Sequence, residues 1–510
     1  MNSAFFRIGA LCAGLIFAFL SLPAAADEAS DLLAKHKAFV GWQMGDGAIR
    51  TLRYVQTGTD AKQTVFDTAK VVRTGAIFRS ARTNKKGETS NVGFTGRLFW
   101  ETSENGFTHP IVGDVQKYEI ATEMLTNEAT AALTGTQKTS REIDGQTYPV
   151  VRVAAAGFPI DLYIDPKTGA YKRAVIDPGG TYESTINILA YSEILPGKKF
   201  ISKMKQGDSP NVYERTSFKV NGPVTNEEFE PPAQTATWDF ANAQPFPVTV
   251  TDNRLLVNAK VNGVPGRFIL DTGSSDITLT ADFVNRAHVK ATDNGMAVGI
   301  GGYAKTRIHK VDRFEIGGNT LSNVIVTSMS AEFDRDKPDG LIGFDLFGGA
   351  IVKLDTDSQR MTILDPRTNP VDKTAGIPAI VDLNDQTPTV PMKVNGDIDI
   401  NATLDSGDSY YVLFSQDLIN HHGLRFLIDP TEEGYLSSHV VLGGIGGYEM
   451  AGCGHLDKVS LGPIVYENAP SCVSGSFSER GALLGFDFFK HFNYVFDYPE
   501  ATIVFIPHKE

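Results

Sequence analysis

Two short motifs of this 510-residue chain carry the residues best suited to chemistry. They are Asp271-Thr272-Gly273-Ser274 and Asp405-Ser406-Gly407-Asp408, and each directly follows an apolar run. Two carboxyl groups held face to face cannot both ionise at short distance, so such a pair shares one proton. The ionised member can deprotonate a water molecule, while the protonated member hydrogen-bonds a substrate carbonyl. We therefore predict Asp271 and Asp405 as catalytic residues that hydrolyse peptide bonds with an activated water.

The residues beside each aspartate are expected to support this pair. Gly273 and Gly407 let the backbone turn sharply and approach its neighbour closely. Thr272 and Ser406 supply hydroxyl groups that can tie the two loops together from behind. We thus predict that both loops form the floor of one active site.

The fourth positions of the two motifs differ. Ser274 can donate a hydrogen bond to the Asp271 carboxylate, whereas Asp408 cannot donate when it is ionised. A third carboxylate at this position is also expected to raise the pKa of the pair. The difference leaves a second interpretation open, in which a non-catalytic protein binds peptide or lipid on a protease-like scaffold.

The C-terminal half of the chain repeats itself, which gives the two motifs equivalent positions. Each copy has short runs of Val, Ile, Leu and Phe separated by Asn-Gly and Gly-Gly turns, which predicts two similar β lobes. The matched segments occur in the same order: 260–263 with 393–396, 271–273 with 405–407, 299–303 with 444–448, 314–317 with 459–462, 341–347 with 483–489, and 352–355 with 494–497.

Composition and charge exclude several classes of function. The net charge is −13 and no basic cluster is evident, so nucleic acid is not expected as a partner. Beyond the first residues, no apolar stretch is long enough to cross a membrane. The chain lacks HExxH and C-x-x-C motifs, so neither a metal nor another cofactor is expected.

The first residues have the features of a secretory signal. Arg7 is the only charge in residues 1–26, an apolar stretch covers 8–22, and small residues follow at 24–26. This pattern predicts an exported protein located in a bacterial periplasm. A membrane anchor is the alternative interpretation.

Export leaves two cysteines, Cys453 and Cys472, because Cys12 lies within the signal. Two cysteines in an oxidising compartment are expected to form a disulfide. Two separate buried thiols are the alternative.

Residues 247–510 resemble the two-lobed aspartic proteases, and more closely the bacterial retroviral-type aspartyl protease family, as a tandem copy in one chain. The resemblance rests on the two aspartate motifs and on the later segments 341–343 and 483–485. It implies that Asp271 and Asp405 are catalytic and that the later segments run behind the aspartate loops. Because both halves of the site lie in one chain, we expect a monomer.

The expected fold is mainly β, with bilobal acid-protease-type β barrels formed by internal duplication and preceded by a separate, mostly antiparallel β domain. The predicted division of the chain is a signal peptide at 1–26, an N-terminal domain at 27–237, a linker at 238–247, a first lobe at 248–370 and a second lobe at 371–510.

Two glycine-rich segments are candidates for flap hairpins over the cleft. Glycine would let each flap move and would let its backbone contact a polypeptide substrate in an extended conformation. A plain β-turn is the alternative, and neither segment completes the pattern of a nucleotide-binding loop. The predicted flap residues are Gly301, Gly302, Tyr303, Gly446, Gly447 and Tyr448.

The N-terminal domain resembles the lipoprotein-carrier-like β domains of the periplasm, in residues 164–169 and the β pattern around them. This resemblance implies a curved sheet with an apolar concave face. Such a face can hold a hydrophobic ligand, an extended peptide or only its own core. A domain that positions substrate or acts as a spacer is the alternative.

Overall fold

The computed structural model describes residues 24–43, 45–59, 65–73, 77–83, 89–130, 133–137, 139–207, 211–251, 253–330, 337–410, 412–422, 438–475 and 481–508. The predicted signal peptide, 1–26, lies outside these residues except for its last three. Strands dominate the described chain, which confirms the prediction of a mainly β protein. None of the helices in the described ranges has the length and apolar character of a membrane span.

The N-terminal domain is built on one antiparallel sheet of thirteen strands, in the order β6-β5-β4-β3-β2-β1-β15-β14-β13-β12-β11-β10-β7, with β8 and β9 as a separate hairpin. Its elements are α1 (Ala24–Val40), β1 (Thr51–Thr59), β2 (Val65–Arg73), β3 (Ile77–Thr83), β4 (Thr89–Phe94), β5 (Phe99–Thr102), β6 (Thr108–Pro110), α2 (Gly113–Thr126), β7 (Gly135–Gln137), β8 (Arg141–Ile143), β9 (Gln146–Tyr148), β10 (Val150–Ala155), β11 (Phe158–Ile164), β12 (Tyr171–Ile176), β13 (Ser184–Leu195), β14 (Lys198–Gln206) and β15 (Val212–Val220).

The chain's own helices cover an apolar face of this sheet. Residues alternate between buried and half-buried along β11, as expected for a strand with one face in a core. Leu32 and Leu33 of α1 and Leu125 of α2 belong to the same buried cluster as Ile160 and Leu162 of β11. The core of the domain therefore forms between its sheet and its two helices.

The first lobe contains a nine-stranded sheet with the order β16-β24-β21-β25-β20-β19-β23-β22, and β18 pairs with β19. The elements of this part are β16 (Thr237–Asp239), β17 (Phe246–Pro247), β18 (Thr249–Thr251), β19 (Arg254–Val261), β20 (Val264–Leu270), β21 (Ile277–Thr280), α3 (Ala281–Arg286), β22 (Ala291–Gly299), β23 (Gly302–Ile316), β24 (Asn319–Met329), β25 (Gly340–Ile342), α4 (Phe344–Phe347), β26 (Ile351–Asp355) and β27 (Arg360–Leu364).

The second lobe contains a seven-stranded sheet with the order β29-β30-β35-β31-β34-β33-β32. The order β19-β20-β25-β21-β24 of the first lobe thus corresponds to β29-β30-β35-β31-β34 of the second. The elements are β28 (Ile377–Ile380), β29 (Thr389–Val394), β30 (Ile398–Leu404), β31 (Val412–Ser415), α5 (Gln416–His422), β32 (Ser438–Gly444), β33 (Gly447–Leu461), β34 (Ile464–Ser474), β35 (Ala482–Leu484), α6 (Phe486–Phe489), β36 (Phe492–Asp497) and β37 (Thr502–Pro507).

The two Val-Asn-Gly segments form hairpin turns, as their sequences predict. Val261 pairs with Val264 across a two-residue loop, and Asn262 takes a φ of 49°, which suits such a turn. In the second lobe Val394 pairs with Ile398, so that loop has one more residue. Each hairpin leads its second strand, β20 or β30, into an aspartate loop.

A third sheet joins the lobes and has the strand order β17-β27-β26-β36-β37-β28. The lobes meet where β26 pairs with β36 in antiparallel fashion. Aromatic side chains pack beneath this junction, with the rings of Phe347 and Phe496 centred 5.0 Å apart. This third sheet therefore connects the two lobes that carry the aspartate loops.

The segment predicted as a linker, 238–247, contributes to two of these sheets. β16 pairs with β24 of the first lobe, and β17 pairs with β27 of the joining sheet. The segment therefore lies along the first lobe rather than passing freely between domains.

Candidate active site

Each aspartate loop begins where a strand ends against a parallel neighbour. β20 runs parallel to β25, and the amide of Asp271 donates to the carbonyl of Ile342 at 2.9 Å. In the second lobe β30 runs parallel to β35, and the amide of Asp405 donates to the carbonyl of Leu484 at 2.9 Å. The segments 341–343 and 483–485 therefore lie beside the loops, where the family resemblance implies them.

Four buried hydrogen bonds tie the two loops together through Thr272 and Ser406. The Thr272 hydroxyl donates to the Leu404 carbonyl at 2.6 Å and accepts from the Ser406 amide at 2.9 Å. The Ser406 hydroxyl donates to the Leu270 carbonyl at 2.8 Å and accepts from the Thr272 amide at 3.1 Å. Each loop thus fixes the position of the other by the same set of contacts.

Loss of one of these hydroxyl groups should destabilise the protein markedly. Thr272→Val keeps the side-chain shape but leaves a buried carbonyl and a buried amide unsatisfied, which should cost about 3 kcal/mol in free energy of unfolding. Thr272→Ser keeps the hydroxyl and should cost less than about 1 kcal/mol. Chemical denaturation of the full-length variants measures both values, and equal losses would contradict this role of the hydroxyl.

The two catalytic candidates are in direct contact. A Cβ atom at Gly273 would lie 2.5 Å from Cγ of Asp405, and a Cβ atom at Gly407 would lie 2.5 Å from Cγ of Asp271. Only glycine leaves room for this approach. Each carboxyl group therefore lies against the glycine of the opposite loop, and the pKa of each depends on the other.

The surroundings of the two carboxyl groups differ in the hydrogen bonds that they provide. Burial and the neighbouring charge of Asp405 raise the pKa of Asp271 well above its usual value. Burial also raises the pKa of Asp405, but hydrogen bonds from Asp271 and from the amides of Gly407 and Asp408 oppose the increase. Those amides donate to Asp405 Oδ1 at 2.9 Å and 3.2 Å. The backbone therefore favours negative charge on Asp405, which accepts from two amides, over Asp271, which accepts from the Gly273 amide at 3.0 Å.

Asp408 lies in the wall of this site rather than in solvent. It is 8% exposed, and its Oδ1 accepts from the Tyr410 amide at 3.2 Å. Its Oδ2 has no hydrogen-bond partner among the described residues. Burial and the charge of Asp405 raise the pKa of Asp408 to about 7, so this third carboxyl group is neutral at acidic pH.

The predicted hydrogen bond from Ser274 to the Asp271 carboxylate is not formed, so this prediction is wrong. The Ser274 hydroxyl donates instead to the backbone carbonyl of Asp276 at 3.1 Å, within its own turn. The serine therefore stabilises the loop locally and leaves the carboxyl pair to the backbone amides and to the opposite loop.

Sequence reasoning missed Arg254, the first residue of β19. Its Nε donates to the Gly407 carbonyl at 3.3 Å, across the lobe boundary. Its positive charge acts to lower the pKa of Asp271, Asp405 and Asp408. No motif marks this arginine, because its neighbours in space come from the other lobe.

Replacement of Asp408 should shift the alkaline limb of any activity profile. When Asp408 ionises near pH 7, its negative charge disfavours loss of the last proton of the pair and so raises that pKa. Asp408→Ser removes the charge, and the alkaline limb of kcat/KM should move to lower pH by about one unit. Peptide hydrolysis measured from pH 3 to 9 gives the shift. Asp399→Ser, which replaces an exposed residue of β30, is the control. If Asp408→Ser left the alkaline limb of kcat/KM unmoved, the coupling between Asp408 and the carboxyl pair would be contradicted.

Two long hairpins, one from each lobe, meet at their tips. We name them flap 1 (β22 and β23) and flap 2 (β32 and β33). The Gly301 amide of flap 1 donates to the Ile445 carbonyl of flap 2 at 2.9 Å. A Cβ atom at Gly301 would overlap the backbone nitrogen of Gly447, and one at Gly446 would overlap the backbone of Gly302. The contact therefore requires glycine on both sides.

Each flap also reaches the opposite lobe. Ile300 of flap 1 packs against a cluster of the second lobe that includes Leu413 and Leu483. Ile445 of flap 2 packs against the first-lobe residues Leu256, Ile269 and Leu341. The tip of each flap thus packs against the lobe opposite its own.

The flap tyrosines face solvent. Tyr303 is 63% exposed and Tyr448 is 77% exposed. Neither side chain is buried beneath the flaps, where it would meet the aspartate pair.

Cys453 and Cys472 form a disulfide, which confirms the predicted pairing. The two residues are directly opposite each other on β33 and β34, at the base of flap 2. The equivalent opposed pair in the first lobe is Ile308 and Thr327. Flap 2 therefore has a covalent anchor at a position where flap 1 has none.

No group of three or more His, Cys, Asp or Glu side chains within the described ranges is arranged to hold a metal ion. The groups at the floor of the cleft are the carboxyl pair, the backbone amides of its loops and Asp408.

A DUF1329 family protein from Desulfovibrio piger is similar to 40% of this chain and 97% of its own, with 11% sequence identity and a TM-score of 0.30. So low a score carries no argument. No curated protein sequence matches the chain.

Residues 257–346 match a family described as aspartyl protease. The matched range contains the first aspartate loop, flap 1 and the supporting strand β25. This part of the chain is therefore similar to aspartyl proteases.

Proposed function

We propose that the protein is an aspartic endopeptidase that hydrolyses peptide bonds with a water activated by Asp271 and Asp405. The observation that carries the proposal is the close approach of these two carboxyl groups, each of which lies against the glycine of the opposite loop. Their loops are also tied together symmetrically by Thr272 and Ser406. The similarity of residues 257–346 to aspartyl proteases supports the same conclusion.

The additional backbone amide that donates to Asp405 favours a distinct role for each carboxyl group. Asp405, the ionised member, takes a proton from the attacking water. Asp271, the protonated member, donates a hydrogen bond to the scissile carbonyl and stabilises the oxygen as it gains negative charge. The proton that Asp405 gained then passes to the leaving nitrogen, which restores one shared proton in the pair.

The proposed substrate is a polypeptide in an extended conformation. The flaps are antiparallel hairpins, and an extended chain can hydrogen-bond to the edge of such a strand. Because the flap tips contact each other, substrate entry requires them to separate and then close again. A folded substrate would not fit beneath two hairpins whose tips are in contact.

We further propose that the lobes arose by internal duplication and that the protein acts as a monomer after export to a periplasm. The equivalent strand orders of the two lobes support the first point. The signal-like residues 1–26 and the Cys453–Cys472 disulfide support the second.

Cleavage of a denatured protein by the purified full-length chain, from pH 3 to 7, tests the proposed activity. We expect internal cleavage that a statine-containing peptide blocks, because its hydroxyl group mimics the tetrahedral intermediate. Reagents that modify serine nucleophiles should have no effect. Absence of internal cleavage at every pH would overturn the enzyme proposal.

A non-catalytic peptide- or lipid-binding protein is the second candidate, and Asp408 is the observation that favours it. An additional buried carboxyl group beside the pair is unlike a site built only for catalysis. In this case a peptide should bind beneath the flaps and remain intact during prolonged incubation. A hydrophobic ligand in the N-terminal domain would be detected by binding of a fluorescent fatty acid.

A further inference from the structure

The disulfide lies where flap 2 leaves its sheet. The pairing of β33 with β34 runs from Leu461 back to Gly452, and beyond that point flap 2 is a two-stranded ribbon of β32 and β33. Cys453 and Cys472 are the next-to-last pair of this ladder. A two-stranded ribbon has little stability of its own. The disulfide therefore fixes the hinge from which flap 2 extends.

The same two cysteines help to form the pocket that receives the tip of flap 1. Both pack in the apolar cluster of the second lobe that contains Leu413 and Leu483, and Ile300 of flap 1 packs against this cluster. Cys472 is also the direct partner of Leu413 in the parallel strands β34 and β31. A change at this disulfide would therefore alter both the hinge of flap 2 and the docking site of flap 1.

The first lobe does not contain an equivalent covalent link. Ile308 and Thr327 occupy the corresponding position at the hinge of flap 1. Ile445 of flap 2 docks on aliphatic side chains of the first lobe, which include Leu256 and Leu341. Both features depend on packing that thiol chemistry does not change. Redox control of the flaps would therefore act through the second lobe.

The second lobe has enough other contacts to persist without the S–S bond. β33 continues to pair with β34 from Gly454 to Leu461, and β34 pairs in parallel with β31 from Val412 to Ser415. These backbone hydrogen bonds hold the sheet together. Loss of the disulfide should therefore loosen the hinge and leave the lobe folded.

We propose that the Cys453–Cys472 disulfide is a redox switch for flap closure: the oxidised protein holds the flap tips together, and the reduced protein lets them separate. Cys453 is only partly buried, so an external thiol can approach it. The inference rests on the proposed endopeptidase function where it concerns activity. Because turnover requires closed flaps, the chain would have low activity in a reducing compartment and full activity after export and oxidation.

Reduction proceeds by thiol–disulfide exchange. An external thiolate attacks Sγ of Cys453, breaks the S–S bond and leaves Cys472 as a thiolate. A second external thiolate then attacks the external sulfur of the mixed disulfide, which releases an external disulfide and the Cys453 thiolate. The two protein thiolates take up the two protons that the external thiols lost. An external disulfide restores the bond by the reverse steps.

Hydrogen exchange tests the switch without relying on activity. The full-length Cys12→Ser protein is compared in its oxidised form and after reduction by dithiothreitol, and intact mass confirms the gain of two hydrogens. The reporter is the Gly301 amide, which donates to the Ile445 carbonyl where the flap tips meet. We expect its exchange to become about tenfold faster or more on reduction. The amides of Asp271 and Asp405, which donate within the lobes, are the internal controls and should change by less than about twofold.

Two results of this measurement would overturn the switch. Unchanged exchange at Gly301 would show that the disulfide does not control contact between the flap tips. An equal increase at Gly301, Asp271 and Asp405 would show that the disulfide stabilises the lobes as a whole instead of the flaps. Neither result depends on whether the protein cleaves peptides.

Peptide hydrolysis measures the consequence for activity. We expect reduction to lower kcat/KM by about tenfold, and oxidised glutathione to restore it. The Cys453→Ser/Cys472→Ser protein is the control: its kcat/KM should match that of the reduced protein and should not respond to dithiothreitol. Equal kcat/KM for the oxidised and reduced proteins would overturn control of activity by the disulfide. Absence of cleavage in both forms, with faster exchange at Gly301 on reduction, would reject the endopeptidase proposal and support the switch in flap closure.

Discussion

Asp271→Asn and Asp405→Asn are each expected to lower kcat for peptide hydrolysis by about 10⁴-fold. An amide at either position cannot share a proton with the remaining carboxyl group, so the pair loses its acid–base function. The Asp405→Asn variant would lack the base that activates water. The Asp271→Asn variant would lack the acidic proton that stabilises the carbonyl oxygen. Initial rates on one fluorogenic peptide, with KM determined for each variant, measure the effect.

Two exposed aspartates provide matched controls for these substitutions. Asp282 and Asp417 lie in the first turns of α3 and α5, at corresponding places in the two lobes. Asp282→Asn and Asp417→Asn should change kcat by less than about twofold. If either active-site variant retained activity comparable to these controls, the assignment of Asp271 and Asp405 would be wrong.

Gly301→Ala should reduce kcat/KM by about 100-fold. The added methyl group would overlap the backbone of Gly447, so the flap tips could not meet as they do in this structure. An incompletely closed flap would admit water and misplace the substrate backbone. Steady-state kinetics and the thermal unfolding temperature should be measured together, because the substitution acts on closure and not on the lobe cores.

Gly444→Ala is the control within flap 2. A Cβ atom at Gly444 would lie 3.4 Å from Cβ of Ile300, which is close to an ordinary contact. Its kcat/KM should therefore stay within about threefold of wild type. A Gly301→Ala protein as active as this control would show that tip contact is not needed for turnover.

Local sequence predicts the parts of this site that depend on short-range chemistry. The apolar runs before Asp271 and Asp405 form strands, and Asn262 and Gly263 form the turn that their positive φ tolerance favours. The repeated order of segments then predicts equivalent strands in two lobes. These inferences succeed because strand pattern and turn conformation are encoded within a few residues.

The remaining features depend on contacts between distant segments. Phe107 is buried in the core of the protease lobes, far along the chain from its own strands, and no local pattern in residues 103–107 indicates this. Arg254 also contacts a segment far away in the sequence, since its Nε donates to the Gly407 carbonyl of the second lobe. Ser274 was expected to bind the adjacent carboxylate, but the tight turn brings the Asp276 carbonyl within reach first.

The pairing of β26 with β36 has a consequence for the integrity of each lobe. In the intact chain these two strands cover each other's hydrogen-bonding edges, from Ile351 with Asp497 to Leu354 with Tyr494. A lobe produced alone would expose that edge together with the aromatic surface beneath it. Such an edge readily recruits another strand, so a solitary lobe would self-associate or aggregate. The covalent link between the lobes therefore ensures that each edge finds its correct partner within the same molecule.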